Sequence, residues 1–422
     1  MNPKNFEERA VWYVIVGIYP LYFLGLNYPI NVLLAWVLLF FLAKKWWEQS
    51  DETPADEQIY IPSIIWLWII AMIVMLVVTV VGLVDFNYPD TAIIRGFLAW
   101  TGQWAILALY PLAGCCLKIR PELVYRAMCI VGLQNLIFAP LSYLSYILKL
   151  PGFLYSSPLE RLTQNGSIFY DVLLYITDYD TQGFRLTLYA PWSPALGLIC
   201  MVMFIFAIVE RDLKWKTIGM ISSLACMYLS ATRTCYIALP MTMLIMFTLD
   251  NFIKVYFNFL VGFASFVFAI ASDRLVYLFH DLKDQFSGQR ASSSQVRGVL
   301  ARIGLRRWQE ARMWGHGRQE LGSKVTALMP IGSHHTWVGL LFTKGLIGLF
   351  AFLIPVVASL FILLVRVKQD QTAKVGLSFL IALLFFSVTD NQEILAYCYW
   401  PGLLIMGAAF RKGSKQDVSI ST

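Results

Sequence analysis

The sequence predicts an all-α polytopic membrane protein with about twelve transmembrane helices and a large helical loop between spans 9 and 10. Two observations predict this class. Hydrophobic residues make up 58% of the 422 residues and charged residues only 14%, with a mean hydropathy of +0.64. That apolar share exceeds the share found in soluble domains. The apolar residues also form runs long enough, or nearly so, to cross a hydrocarbon core of about 30 Å.

Twelve such runs follow one another along the chain. The first run comes after Lys4 and Arg9, and no small-residue cleavage site follows it, so we expect a retained span rather than a signal peptide. We therefore expect residues 1–422 to form a single transmembrane domain. The runs cover about residues 11–26, 29–43, 62–84, 97–117, 124–146, 190–209, 217–231, 235–250, 255–272, 336–365, 375–389 and 394–410.

Basic residues in the short loops predict the orientation, because such residues stay on the cytoplasmic side of a membrane. With the N-terminus inside, every short inner loop is basic, and we expect both termini to be cytoplasmic. The inner basic residues are Lys44, Lys45, Lys118, Arg120, Arg211, Lys214, Lys216, Lys254, Arg366, Lys368, Lys374, Arg411, Lys412 and Lys415.

Two long outer loops, residues 147–189 and 273–335, hold the polar residues from which function is expected. The second loop has ten basic and five acidic residues, which gives it +5 of the chain's net charge of +7. Eight of the ten are arginine, whose planar guanidinium binds phosphate oxygens through paired hydrogen bonds. We interpret the loop as anion-binding, with contact to lipid headgroups as the structural alternative. Its basic residues are Arg274, Lys283, Arg290, Arg297, Arg302, Arg306, Arg307, Arg312, Arg318 and Lys324.

A basic helix is predicted inside this second loop. Residues 292–313 contain no proline, and Arg302 and Arg306 lie four positions apart on one helical face. We expect the helix to lie along the membrane. It should end at the turn from Trp314 to Gly317, because glycine stops helices and permits close backbone approach.

Two more arginines lie where outer loops meet spans. Arg233 is at the outer end of a span, where a charge usually faces a cavity or a partner. Arg185 precedes a span that begins at Pro191 and Pro194, which indicates an irregular helix start of the kind that lines a cavity. The structural alternatives are a snorkelling side chain for Arg233 and a plain turn for Arg185.

Two of the four histidines, His334 and His335, stand immediately before the apolar run that starts near Trp337. A neutral imidazole can accept a proton from a hydroxyl group, while arginine can stabilise a phosphate leaving group. The pair therefore predicts acid–base chemistry at the membrane surface, with a purely structural interfacial pair as the alternative.

Two acidic pairs suggest other roles. Asp178 and Asp180 form a D-x-D pattern similar to the metal-binding pair of nucleotide-sugar transferases. Nucleotide sugars are absent from the outer side, so we expect no metal and no cofactor. Asp390 and Glu393 either hold an acceptor sugar or pair with the loop arginines, and pairing is favoured.

Four segments resemble the O-antigen ligase and polymerase superfamily. "SHHTWVGLLFTKGLIGL" is similar to its His-Asn-x-x-Leu…Gly-Leu-Ile-Gly-Leu signature: His334 aligns with the histidine, His335 with the asparagine, and Gly345 and Gly348 with the glycines. "FRLTLYAPWSP", "SATRTCYIAL" and "VRGVLARIGLRRWQEARMWGHG" resemble further segments in family order. The resemblance covers residues 180–365. The family arginine falls at Arg297, with Arg302 or Arg306 as the alternative.

The resemblance implies an inverting, metal-independent glycosyltransferase of the bacterial inner membrane, with its active site on the periplasmic face. The donor would be a glycan on undecaprenyl pyrophosphate, and the acceptor a hydroxyl of a glycan or glycolipid. Arg233 and Arg297 would hold the pyrophosphate, with Arg185, Arg302 and Arg306 as further candidates. His334, with His335 beside it, would orient or deprotonate the acceptor. We expect membrane lipid but no nucleic acid as a partner.

Two activities of this superfamily fit the residues. An O-antigen ligase moves finished glycan onto lipid A core in lipopolysaccharide biosynthesis, and a polymerase joins repeat units of polysaccharide. One large basic loop favours the ligase, because its acceptor is anionic. A lipid-linked glycan flippase or exporter is the alternative from another class, but the charges within spans cluster at the outer ends, which disfavours transport.

Overall fold

The computed structural model describes residues 1–50, 53–54, 58–163, 166–178, 181–274, 276–278, 280–281, 291–323 and 329–411. The described chain is mostly helical, with two small two-stranded antiparallel sheets. The helices before the first long loop are α1 (Phe6–Val16), α2 (Ile18–Phe23), α3 (Asn27–Trp47), α4 (Ser63–Asp85), α5 (Asp90–Gly102), α6 (Ile106–Cys116) and α7 (Pro121–Ile147).

The first long loop contains short elements, and the second half of the chain is again helical. The loop holds β1 (Phe153–Ser156), α8 (Leu159–Thr163), β2 (Asp171–Leu173), β3 (Ile176–Thr177) and β4 (Phe184–Arg185). The later helices are α9 (Ser193–Val209), α10 (Leu213–Leu229), α11 (Arg233–Asn251), α12 (Val255–Ile270), α13 (Ser272–Leu278), α14 (Ala291–Trp308), α15 (Thr336–Arg366), α16 (Gln371–Ser387) and α17 (Gln392–Ala409).

Five helices of the described chain are long and apolar enough to cross a membrane: α3, α4, α7, α15, and α5 with α6 as Asp90–Cys116. The number becomes six if α12 and α13 count as one bent span. The prediction of a mainly helical protein with apolar membrane-spanning helices is confirmed. The number of twelve spans remains a prediction.

Helix α9 forms the centre of the bundle. Nearly all of its residues are buried, and it is apolar on every face, as an interior helix requires. Glycines allow α6 and α17 to approach very closely. A Cβ on Gly114 would lie 1.9 Å from the carbonyl oxygen of Leu404, and one on Gly407 would lie 2.1 Å from that of Pro111. Small residues at such contacts are typical of helix pairs in membranes.

Ion pairs mark one end of the bundle. Glu8 pairs with Arg120 at 2.6 Å where α1 and α7 begin, and Glu210 pairs with Arg126 at 2.7 Å where α9 ends. Helix α7 starts at this end of the bundle and α9 ends there. The end of α7 and the start of α9 therefore lie at the opposite end. The candidate site residues lie at this opposite end.

Helix α15 is interrupted at Gly345. This residue has φ +63° and ψ −162°, which breaks the helical hydrogen-bond pattern. The turn at residues 312–317 compensates. The N–H groups of Leu346 and Ile347 donate to the carbonyls of Arg312 and Met313, at 2.9 and 3.2 Å. Those of His316 and Gly317 donate to the carbonyls of Phe342 and Thr343, both at 2.9 Å. The end of the large loop is thereby bound to a spanning helix.

Candidate functional site

The beginning of α15 is bound to the turn between α16 and α17. Thr336 Oγ1 donates to the carbonyl of Asp390 at 2.7 Å and accepts from the N–H of Gln392 at 3.1 Å. Trp337 Nε1 donates to Ser387 Oγ at 2.9 Å. These bonds fix Asp390 beside His334, with 4.0 Å between the Asp390 Oδ1 and His334 Nδ1 atoms.

His334 adopts a backbone conformation that is uncommon for a residue with a side chain. Its φ is +61°, in the left-handed region. Burial lowers the pKa of its imidazole to about 4, and the positive charge of Arg297 contributes to this shift. The free site therefore holds His334 neutral at pH 7, with a lone pair on one ring nitrogen.

Asp390 is almost completely buried, with 2% of its surface exposed. Burial raises the pKa of its carboxyl group to about 7, because the charged form loses its hydration. Arg297, Trp192 and Arg185 act in the opposite direction and favour the carboxylate. At neutral pH this carboxyl group is therefore divided between its protonated and its ionised form. Two arginines from distant parts of the chain act on the same carboxyl group.

Arg185 reaches the site from the first long loop. It lies in β4, which pairs with β3, and the N–H of the next residue, Leu186, donates to the carbonyl of Leu229 at the end of α10. Its Nη1 lies 3.6 Å from Asp178 Oδ2, and its Nε donates to the carbonyl of Ser230 at 3.4 Å. Asp178 thus orients Arg185. Its D-x-D neighbour Asp180 lies outside the described residues.

Arg233 is the first residue of α11 and is half-buried. The residues on either side of it are fixed to other site segments. Thr232 Oγ1 donates to the carbonyl of Ser193 at 3.0 Å, and Thr234 Oγ1 donates to Thr389 Oγ1 at 3.2 Å. Because Thr389 precedes Asp390, the start of α11 lies against the same turn as the acidic residue.

The three candidate arginines of α14 have different surroundings. Arg297 is half-buried and affects the pKa of both His334 and Asp390. Arg302 is exposed, and its Nε donates to the carbonyl of Gly298 within the helix. Arg306 is exposed as well. The geometry therefore favours Arg297 over the other two as the arginine of the site.

His335 has a different environment from its neighbour. It is the N-cap of α15, and its Nδ1 accepts a hydrogen bond from the N–H of Val338 at 3.4 Å. Burial lowers the pKa of its imidazole. The geometry assigns it a capping contact, whereas His334 faces the carboxyl group.

Sequence reasoning missed several residues that build this end of the molecule. His316 is fully buried and stacks between Phe86 and Phe342, at centroid distances of 4.4 and 4.5 Å. Lys344 is also buried, and its Nζ donates to Thr79 Oγ1 and to the carbonyl of Gly317. A histidine between glycines and a lysine in an apolar run were visible signals. Their partners are too distant in sequence to be inferred.

The fold and the site together define a helical membrane protein with arginine, histidine and a buried carboxyl group at one end of its bundle. The family model described as O-antigen ligase matches residues 218–353, a stretch that includes Arg233, Arg297 and His334. This match supports membership of the O-antigen ligase and polymerase superfamily, a group of glycosyltransferase-like enzymes, and confirms the resemblance found in the sequence. No curated protein matches the chain significantly.

Proposed function

We propose that this protein is an inverting glycosyltransferase that moves a glycan from undecaprenyl pyrophosphate to a sugar hydroxyl. The observation that carries the proposal is the convergence of Arg185, Arg297 and His334 on one buried carboxyl group, Asp390. Cationic side chains suit a diphosphate, and a neutral imidazole beside a carboxyl group of pKa about 7 suits deprotonation of an alcohol.

The arginines take the donor end of the reaction. Arg297 and Arg233, supported by Arg185, bind the pyrophosphate oxygens. As the bond between the anomeric carbon and the phosphate oxygen breaks, the electron pair leaves with the pyrophosphate. The guanidinium groups stabilise the charge that develops there. Pyrophosphate is a good leaving group, so fixed positive charge can take the place of a divalent metal ion.

His334 and Asp390 take the acceptor end. The acceptor oxygen attacks the anomeric carbon from the face opposite the leaving group, which inverts the configuration. Its proton passes to the His334–Asp390 pair. Asp390 is the stronger base in the free site, because its pKa is about 7 and that of His334 about 4.

Donor binding makes both His334 and Asp390 more basic. Arg297 lowers the pKa of both groups in the free site. A bound diphosphate offsets that positive charge, so the pKa of both groups rises when the donor is present. The pair therefore becomes more basic when a leaving group is in place.

The membrane arrangement completes the proposal. With the predicted twelve spans and both termini in the cytoplasm, the site would lie on the periplasmic face of a bacterial inner membrane. The polyprenyl tail then stays in the bilayer while the glycan is in water. The basic helix α14 suits an anionic acceptor, and for this reason we favour O-antigen ligase activity with lipid A core as acceptor. A polymerase would use the same chemistry.

Deletion and complementation, read on a glycan gel, test the activity. Loss of all glycan chains from the lipid core, restored by the wild-type gene, is the expected result for a ligase. Cores that carry a single repeat would instead identify a polymerase. Loss of all chains together with lipid-linked glycan retained on the inner face would instead indicate an exporter, and an unchanged gel would contradict all three activities.

A further inference from the structure

The two adjacent histidines have opposite backbone conformations. His334 has φ +61°, whereas His335 is extended, with φ −164° and ψ 104°. The chain therefore makes a turn that ends at His334, immediately before the first turn of α15. A left-handed residue with a side chain persists only where its neighbours hold it.

His335 is bonded to its own helix through both backbone and side chain. Its carbonyl accepts from the N–H of Gly339 at 2.8 Å, and its Nδ1 accepts from the N–H of Val338 at 3.4 Å. The second bond satisfies one of the N–H groups that every helix leaves free at its start. The side chain of His335 is thus directed along α15.

This cap distinguishes α15 from the other helices that begin at the same end. The N-cap residues of α9, α11 and α17 are Trp192, Thr232 and Asn391, and their side chains make no capping bond in the described structure. Those three starts are held by tertiary contacts. Only α15, among these four helices, carries a histidine site residue immediately before its cap.

We propose that His335 is a positioning residue, whose unprotonated Nδ1 caps α15 and thereby holds His334 toward Asp390. In this role the ring carries its proton on Nε2, because Nδ1 uses its lone pair to accept from Val338. His335 then transfers no proton in the reaction. The inference rests on the proposed function for its effect on transfer, but the cap itself does not depend on that function.

Asparagine is the conservative replacement, because its side-chain oxygen is among the best N-cap acceptors. With the full-length protein in lipid nanodiscs, we expect His335→Asn to retain kcat/KM within about twofold. His335→Ala removes the cap acceptor and should lower kcat/KM roughly five- to tenfold, the factor that corresponds to the free energy of one lost N-cap hydrogen bond. Asn5→Ala is the matched control. Asn5 caps α1 at the other end of the bundle by accepting from the N–H of Glu8 at 2.8 Å, and its loss should leave transfer unchanged.

The tautomer provides a readout that is independent of activity. In ¹⁵N-histidine spectra at neutral pH, the signal that disappears in His335→Asn should show an unprotonated Nδ1 and a protonated Nε2. A protonated Nδ1 at this residue would overturn the cap. Equal loss of transfer in His335→Asn and His335→Ala would overturn the positioning role, as would full activity of both. A correct tautomer in a protein without transfer activity would leave the cap intact and refute the proposed function alone.

Discussion

At the scale of single residues, His334 and Asp390 are the groups on which the proposed chemistry depends. We expect His334→Ala to lower transfer by about 10²- to 10⁴-fold, the usual contribution of a positioned acid–base group. The variant should insert and fold, because His334 is only partly buried and the nearby residues Thr336 and Trp337 hold the turn. Transfer assays with purified protein, and its elution profile in detergent, measure the two effects. Wild-type rates would contradict the role of His334.

The pKa of Asp390 predicts the pH dependence. If its carboxylate is the base, kcat/KM should rise with pH and level off above about 7. Arg297 favours the carboxylate, so removing its charge raises the pKa of Asp390. In Arg297→Gln, the midpoint of the rise should therefore move to higher pH, beyond the general loss of activity. Arg302→Gln, exposed on the same helix, is the control and should leave the midpoint in place. A rise of kcat/KM with pH that persists in Asp390→Asn would refute the assignment of Asp390 as the base.

The role of Asp178 can be tested, because it either binds a metal ion or orients Arg185. Asp178 Oδ2 lies 3.6 Å from Arg185 Nη1. We therefore expect Asp178→Asn to lower transfer roughly tenfold, because the guanidinium group of Arg185 would be less ordered. Chelation of divalent ions by EDTA should leave wild-type transfer unchanged. Both rates can be measured with the same donor preparation. Strict dependence on added metal would restore the D-x-D interpretation of Asp178 with Asp180.

At the scale of elements, the break in α15 connects the large loop to the spanning helices. A Cβ at Gly345 would lie 2.3 Å from the carbonyl oxygen of Met313, and the positive φ is unfavourable for any other residue. We expect Gly345→Ala to displace the turn at residues 312–317 and to cost about 1–3 kcal/mol. Lower transfer and a lower midpoint of thermal unfolding are the measurements. Gly262→Ala in α12, where a Cβ meets nothing within 4 Å, is the control.

The helices and turns also show which features of the fold could be predicted from the sequence. Hydropathy and glycine patterns predicted the apolar helices and the basic helix that became α14, although α14 ends at Trp308 and not at the turn from Trp314 to Gly317. They did not predict that this turn would bind the break at Gly345, because backbone pairing between segments 30 residues apart leaves no periodic signal. The motif proposed Arg297 and His334 as site residues, whereas for Asp390 the sequence offered only two roles, holding an acceptor sugar or pairing with a loop arginine.

At the scale of the whole molecule, the two ends of the bundle differ in chemistry. One end holds the ion pairs of Glu8 and Glu210, and the other holds the proposed reaction centre. If both termini are cytoplasmic, the first end faces the cytoplasm and the second the periplasm. This difference allows the orientation to be tested without any substrate.

Single-cysteine variants can show which side of the membrane each end of the bundle faces. Ser167, in the first long loop, and Leu213, at the start of α10, are both exposed and lie toward opposite ends of the bundle. In intact cells with a permeable outer membrane, a membrane-impermeant maleimide should label Ser167→Cys but not Leu213→Cys. Both should react after lysis, which controls for thiol reactivity, and the unsubstituted chain controls for its own seven cysteines. Labelling of Leu213→Cys alone in intact cells would invert the orientation and place the site on the cytoplasmic face, where a periplasmic glycan transfer cannot occur.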